Sequence, residues 1–444
     1  MKEYNTQYFD FNKDGDLIIK EGHNIYNVRV LADKLGTSLE ILMPFVIEER
    51  LEDLLDITSA LSKKVGYQGK FFYHYPMKVN QNKEVVMALV GEGAHLETSS
   101  YNDLFMIKKM LEQESFNPNI RILCNGPKTD KYMNLIDELQ HKGMKIFPII
   151  EGPNELKFLQ HSRYNVGIRI DMPINVDSPW SKGVIDRFGF TVKEVLAMGT
   201  FKNLKILHFH NATQTEKLSD IIAQAKYALD AYFKVKEINP SLDTLDIGGG
   251  MPIPYNRTKS YDIEKLMKKL FELLKTESEK RNLPHPNLIC EWGRYIVAPA
   301  QINVYKIIET KEIRNKKYPA KKWYVIDGSF MNDLLDTWAV GQKWAVAPVN
   351  INKDQDLTEV WLAGSSCDSD DTYKGTYGTV TLPDYEVNGE PMYVVIFDTG
   401  AYQDPLSAHH CLLSSPMKII AENGHIVVAR KRESPEDVGK MFGW

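Results

Sequence analysis

The residues best suited to chemistry stand directly behind short apolar runs. Phe71-Phe72-Tyr73-His74-Tyr75-Pro76-Met77-Lys78 ends an aromatic, strand-like run at Pro76 and delivers a lysine to its tip. An amine in apolar surroundings loses part of its preference for the charged form and can act as a nucleophile or form a Schiff base. The same lysine also reads as a strand-end side chain snorkelling to solvent. Leu207-His208-Phe209-His210-Asn211-Ala212-Thr213 places two histidines on one face of a strand, with Thr213 in the loop beyond. A histidine pair could bind a metal, but no carboxylate or third ligand lies nearby in sequence. A flat imidazole could instead stack on a planar cofactor, and either histidine could be a satisfied core residue.

Leu245-Asp246-Ile247-Gly248-Gly249-Gly250 ends an apolar strand in three glycines, whose amides can crowd around an anion such as a phosphate. The dinucleotide pattern Gly-x-Gly-x-x-Gly is absent, which argues against a nicotinamide site. Cys290-Glu291-Trp292-Gly293-Arg294 sets a carboxylate behind another apolar run; its partner is a protonated ring nitrogen or, structurally, Arg294. Farther on, Cys367 stands beside Asp368, Asp370 and Asp371. Neighbouring carboxylates would raise the thiol's pKa and suit it to donating a proton. The full calcium-loop pattern is missing there. Asp327-Gly328-Ser329-Phe330 with Asp333 and Asp336, and Phe397-Asp398-Thr399-Gly400-Ala401-Tyr402, each also read as ordinary turns.

These side chains need a scaffold that brings strand ends together. Eight strand candidates alternate with amphipathic stretches: Gly69–Tyr75, Ala94–Glu97, Arg121–Cys124, Lys145–Ile149, Asn165–Arg169, Lys205–His210, Leu242–Ile247 and Asn287–Cys290. That alternation predicts a (β/α)8 TIM-type barrel over residues 46–300, with an open doubly wound sheet as the competitor. Residues 301–444 change texture to short strands with few helical stretches, predicting a mostly β C-terminal domain. Residues 1–45 hold strand-like pieces (Tyr8–Phe11, Leu17–Ile19) that could join it.

The formal charge of −5 and the lack of a basic stripe exclude a nucleic-acid binder. Four cysteines without a Cys-x-x-Cys pair suit a reducing compartment. No apolar stretch is long enough to span a membrane, and the N-terminus has no apolar signal region, so a cytoplasmic protein is expected.

Taken in order, the motifs resemble the pyridoxal 5'-phosphate decarboxylases built on an alanine-racemase-like barrel and a β domain (fold type III), over residues 37–405. The local match is best with biosynthetic arginine decarboxylases. Tyr75-Pro76-Met77-Lys78-Val79-Asn80-Gln81 is similar to their Tyr-Pro-Ile-Lys-Val-Asn-Gln, and Leu96-Glu97-Thr98-Ser99-Ser100 is similar to their Leu-Glu-Ala-Gly-Ser. Cys124-Asn125-Gly126, Leu207-His208-Phe209-His210 and Cys367-Asp368-Ser369-Asp370 match as well.

The resemblance implies that Lys78 carries the cofactor as a Schiff base, that His210 stacks on its ring and that Glu291 pairs with the ring nitrogen. Arg169 would sit beside the cofactor, and Glu97 and Asp103 would support the ring region. Thr213, the amides of Gly248, Gly249 and Gly250, Arg294 and Tyr402 would hold the phosphate. Cys367 would protonate the α-carbon, with Asp336 and Asp368 facing the distal cation of the substrate.

The implied activity is decarboxylation of a basic amino acid, L-arginine to agmatine first, in a head-to-tail homodimer with shared active sites. Ornithine, lysine or diaminopimelate are alternative substrates; an amino-acid racemase and a catalytically inactive regulatory homologue are alternative functions. No metal is expected. Two departures stand out: Ala212 replaces a glycine of the usual His-x-Gly-Ser, and Trp292 replaces a proline or serine.

Overall fold

The computed structural model describes residues 4–113, 119–176, 178, 187–255, 259–351 and 355–444. The chain divides into two compact units, one formed by residues 48–253 with 261–296, the other by 1–47, 254–260 and 297–444.

The first unit is a closed barrel of eight strands: β1 (Phe71–Pro76), β2 (His95–Thr98), β3 (Arg121–Cys124), β4 (Lys145–Ile150), β5 (Val166–Arg169), β6 (Leu204–His208), β7 (Thr244–Asp246) and β8 (Asn287–Cys290). All neighbours are parallel, and β8 closes on β1 with Ile289 opposite Phe72. The strands read as nearly continuous apolar runs because both faces are covered, by helices outside and by packed side chains inside. Leu123, Phe147, Ile149, Ile206 and Ile289 fill the interior, with Phe72 against them. The Arg121 guanidinium lies 4.2 Å from the Phe72 ring centre and 4.6 Å from that of Phe147, so the apolar row ends in a cation over two rings.

Crossover helices include Lys83–Gly91, Tyr101–Gln113, Asp130–His141, Leu218–Ile238 and Ile263–Lys280. Their starts follow local chemistry: Thr129 and Asp262 accept amide hydrogen bonds from Tyr132 and Lys265, and Thr191 with Glu194 forms a capping box on Val192–Ala197. The open-sheet competitor is excluded by the closure of β8 on β1.

The second unit is mostly β. Its main sheet runs Thr372–Tyr373, Leu357–Ala363, Lys322–Ile326, Gln301–Glu312, Leu39–Leu42, Met417–Glu422, His425–Arg430, and Tyr393–Ile396 also pairs with Gln301–Glu312. The early strands join differently from the expectation. Phe9–Phe11 and Leu17–Glu21 form a separate three-stranded sheet with Asn24–Asn27, whereas the strand entering the main sheet is Leu39–Leu42. That strand carries Glu40 into the interior, where Lys418 (3.3 Å) and Arg430 (3.0 Å) neutralise it; both also pair with Asp404. Among the described residues, no helix is long and apolar enough to cross a membrane.

Candidate active site

Register sets which side chains meet at the carboxyl ends of the barrel strands. Arg169, His208, Asp246 and Ile289 occupy matching positions on β5, β6, β7 and β8. Pro76, Glu97, Leu123 and Phe147 do the same on β1 to β4. Charged groups thus crown the apolar interior on one rim. Lys78 follows on the 3-10 turn Met77–Val79, closed by the Asn80 amide bonding to the Met77 carbonyl at 3.1 Å. Its side chain is exposed.

Glu291 follows β8 and stays buried, accepting from Asn125 Nδ2 at 3.3 Å. The Glu291 loop can lie against the lysine turn because Gly293 has no side chain: a Cβ there would stand 2.7 Å from Val79 Cγ2 and 2.8 Å from Pro76 Cγ. Burial first, then repulsion from Asp246, pushes the Glu291 carboxyl up to about 7, against the pull of His208 and Lys78. Burial followed by repulsion from Glu291 raises Glu97 to about 7, and Lys78 again opposes. His210 is driven well below the usual imidazole range by burial, then by Lys78, Arg169 and His208. Lys78 thus bears on the protonation of Glu97, Glu291 and His210 alike.

β6 ends at His208, two residues before its expected end, so the two histidines do not share a strand face. His208 is buried, its Nδ1 2.9 Å from Asp246 Oδ2 and 3.8 Å from Glu291 Oε1. The ligand atoms of His208, Asp246 and Glu291 lie within 4.8 Å of one another. The carboxylates missing from the local sequence are thus supplied in space. Burial raises Asp246 to about 7 and lowers His208 to about 4, so the cluster exchanges protons near neutral pH through its carboxyl groups while the imidazole stays neutral.

His210 lies beyond the strand end, its Nδ1 accepting from the Gly249 amide at 3.2 Å. The Gly248 amide donates to Asp246 Oδ1 at 2.9 Å. Two of the three amides expected to face a phosphate therefore serve the protein itself. The glycines are still required sterically, since Gly248 (φ 61) would set a Cβ 2.5 Å from the Phe209 carbonyl oxygen. The loop beyond is tied across by Gln214, whose side chain bonds both the amide (2.8 Å) and the carbonyl (3.0 Å) of Ile253, and by the Thr215 amide on the Gly250 carbonyl at 3.0 Å. Positive φ falls on Gln214 (50°) rather than on Ala212, so the backbone here does not demand glycine at 212. Trp292, the other departure, is buried.

Arg169 is buried against Glu151 at 3.5 Å and donates to the His210 carbonyl at 3.0 Å, so it braces the histidine loop. Arg294 is buried in the short helix Gly293–Val297. Asp103 accepts from the Ser99 amide at 3.0 Å, and Ser99 Oγ donates to Glu97 Oε1 at 3.0 Å, which fixes Glu97.

In the β unit, Tyr402 has φ 69, an uncommon conformation for an aromatic residue. Asp336 is buried and accepts from Gln403 Nε2 at 2.9 Å. Asp368 pairs with His410 at 3.2 Å. Cys367 is exposed, with its sulfur 3.7 Å from that of Cys411. Its thiol is raised, first by the contact with Cys411, then by burial, with Asp368 adding a smaller push in the expected direction. Asp371 is a structural hub: it accepts from Ser329 Oγ (2.9 Å) and the amides of Phe330 (2.7 Å) and Ser366 (3.3 Å).

Residues 53–298, more than half of the chain, match the family of pyridoxal-dependent decarboxylases over its pyridoxal-binding domain. The chain belongs to the pyridoxal-dependent decarboxylases. Relatives of this chain include the biosynthetic arginine decarboxylase of Phocaeicola vulgatus, 28% identical over 342 residues (69% of this chain, 54% of the relative). That of Salmonella paratyphi B is 26% identical over 370 residues (76% and 57%). The chain thus aligns with little more than half the length of these relatives. In fold it is similar to the biosynthetic arginine decarboxylase of Campylobacter jejuni (TM-score 0.83, 19% identity, covering 99% of this chain and 89% of that one). It is likewise similar to the diaminopimelate decarboxylase of M. jannaschii in complex with L-lysine (TM-score 0.80, 22% identity, 99% and 98%).

The barrel rim fits pyridoxal phosphate on its own geometry. Glu97 Oε2 and Asn125 Oδ1 are buried with no hydrogen-bond partner among the described residues, as suits a rim that awaits a polar ring. The glycine turn is a cradle that side chains would fill. The sequence did not single out Asp246, Gln214 or Glu151 as contributors. Asp246 was signalled by its place directly before the glycine triplet; Gln214 and Glu151 had no such cue.

Proposed function

We propose that the protein decarboxylates a basic amino acid, L-arginine to agmatine first, using pyridoxal phosphate held at the barrel rim. The observation that carries this reading is the placement of Lys78 on a turn packed against the Glu291 loop, with Glu97, Glu291 and His210 within its electrostatic reach. Arginine is favoured because biosynthetic arginine decarboxylases align over 69% to 76% of the chain. When bound, the cofactor supplies an electron sink for the charge left on the α-carbon as CO2 departs.

The chain's own groups divide the remaining work. The Lys78 amine would be the nucleophile that holds the cofactor through its carbonyl carbon. Glu291 would accept a hydrogen bond from a protonated ring nitrogen, a partner that favours the ionised form of its carboxyl despite burial. His210, neutral with its proton on Nε2, offers a flat face to the ring. Thr213, Gly250, Arg294 and Tyr402 would hold the phosphate, while Gly248 and Gly249 shape the turn. Cys367 keeps its proton at rest and delivers it to the α-carbon; Asp368 and, less freely, Asp336 attract the distal cation. We further propose a cytoplasmic, head-to-tail homodimer in which the cysteine loop of one copy serves the barrel of the other.

The test is a panel of arginine, ornithine, lysine and diaminopimelate with the purified holoenzyme, scored by CO2 release and product mass. Agmatine from arginine is expected. CO2 from diaminopimelate alone would remove arginine as substrate, and D-arginine without CO2 would make the enzyme a racemase.

A further inference from the structure

The β unit brings together two cysteines that lie 44 residues apart in sequence. Cys367 and Cys411 are both exposed, and their sulfurs are in contact at 3.7 Å; Cys124 and Cys290 are buried. Each thiol sits in an anchored loop. On one side, Asp368 donates its amide to Ser366 Oγ at 3.3 Å, and the Ser366 amide bonds the buried Asp371. On the other, Asn332 clasps His410 through both backbone atoms, donating to its carbonyl at 2.9 Å and accepting from its amide at 3.1 Å. The Asp368–His410 contact at 3.2 Å ties the loops together beside the sulfurs. Cys411 has φ 58, so its side chain is presented from a left-handed position.

We propose that Cys367 and Cys411 form a dithiol site that closes to an intramolecular disulfide when the protein meets a hydroperoxide or a small-molecule disulfide. Two thiols lose two protons and two electrons as the S–S bond forms. With hydrogen peroxide the O–O bond breaks to give two waters; with glutathione disulfide its S–S bond breaks to give two glutathione thiols. A bond would bring the sulfurs from 3.7 Å to about 2.05 Å. Closure withdraws the Cys367 thiol. The effect on amine production rests on the proposed proton-donor role of Cys367; disulfide formation does not.

The holoenzyme is treated with hydrogen peroxide or glutathione disulfide, alkylated, digested and analysed by mass spectrometry. A Cys367–Cys411 linked peptide is expected that dithiothreitol abolishes, with Cys124 and Cys290 alkylated only after denaturation and no linked peptide from Cys411→Ser. Amine yield should fall at least 10-fold on oxidation and return on reduction. Cys367 and Cys411 recovered as separately alkylated peptides, or linked only between copies, would overturn the dithiol. A linked peptide with undiminished amine yield upholds the disulfide and overturns the donor role of Cys367.

Discussion

The amide of Gly249 donates to Nδ1 of His210, which makes that nitrogen an acceptor and leaves the ring proton on Nε2. A backbone hydrogen bond thereby fixes the tautomer and the tilt of the imidazole, while burial keeps it neutral. Stacking of aromatic rings contributes about 0.5–1.5 kcal/mol, so His210→Ala should weaken pyridoxal phosphate binding by roughly 2- to 12-fold. His210→Phe should recover most of it. Equilibrium dialysis measures both; equal affinity for all three proteins would separate His210 from the ring.

Lys78→Ala should abolish the visible absorbance of the bound cofactor and reduce amine production to background. The barrel should persist, because Lys78 is exposed and the turn that carries it is closed by backbone. Absorption spectra with circular dichroism as a fold control check this. Retained visible absorbance in the variant would mean that another amine holds the cofactor.

Three buried carboxyls, Glu97, Asp246 and Glu291, are raised to about 7, whereas unfolded carboxyls titrate near 4. The folded chain then holds protons that the unfolded chain has released, and this contribution to stability is lost as pH rises through about 7. His208 works in the opposite sense, but its folded value of about 4 confines that effect to below about 6.5. Between pH 6.5 and 8, the Tm of cofactor-free protein should therefore fall. Glu291→Gln removes one of the three groups and relieves its neighbours, so its Tm should fall less over the same window. Parallel pH profiles for the two proteins would show that the cluster does not titrate as described.

Gly293→Ala should disturb the lysine turn without touching cofactor or substrate. The added methyl meets Val79 and Pro76 at under 3 Å, and overpacking of this kind costs about 1–3 kcal/mol. Thermal unfolding should show that loss, and cofactor affinity should fall with it. An unchanged Tm and affinity would mean that the Glu291 loop shifts freely.

Much of the barrel was legible because its strands are buried on both faces. Arg-Ile-Leu-Cys at 121–124 and Asn-Leu-Ile-Cys at 287–290 begin and end as the apolar pattern implies. Lys78 and Glu291 were legible for the same reason, since a polar side chain directly after such a run stands on the rim. The partnerships were not. Asp246 meets His208 through the register of β6 on β7, and register depends on long-range pairing that no local window contains. Cys411 looked like one of four scattered cysteines because 44 residues separate it from Cys367. Leu39–Leu42 was missed because Glu40 makes it look half polar, and its neutralising partners, Lys418 and Arg430, arrive nearly 400 residues later.

That strand has a consequence for the order of assembly. Leu39–Leu42 pairs antiparallel with Gln301–Glu312 and parallel with Met417–Glu422. It is made before the barrel segment, whereas both neighbours are made after it. Contacts of such sequence separation form slowly, whereas the intervening barrel closes on shorter-range pairings. The nascent chain therefore carries an unpaired strand with a buried-type glutamate throughout synthesis of the barrel. Glu40 places a carboxylate on that waiting strand, and the two cations that pair with it in the fold, Lys418 and Arg430, are made only after the barrel.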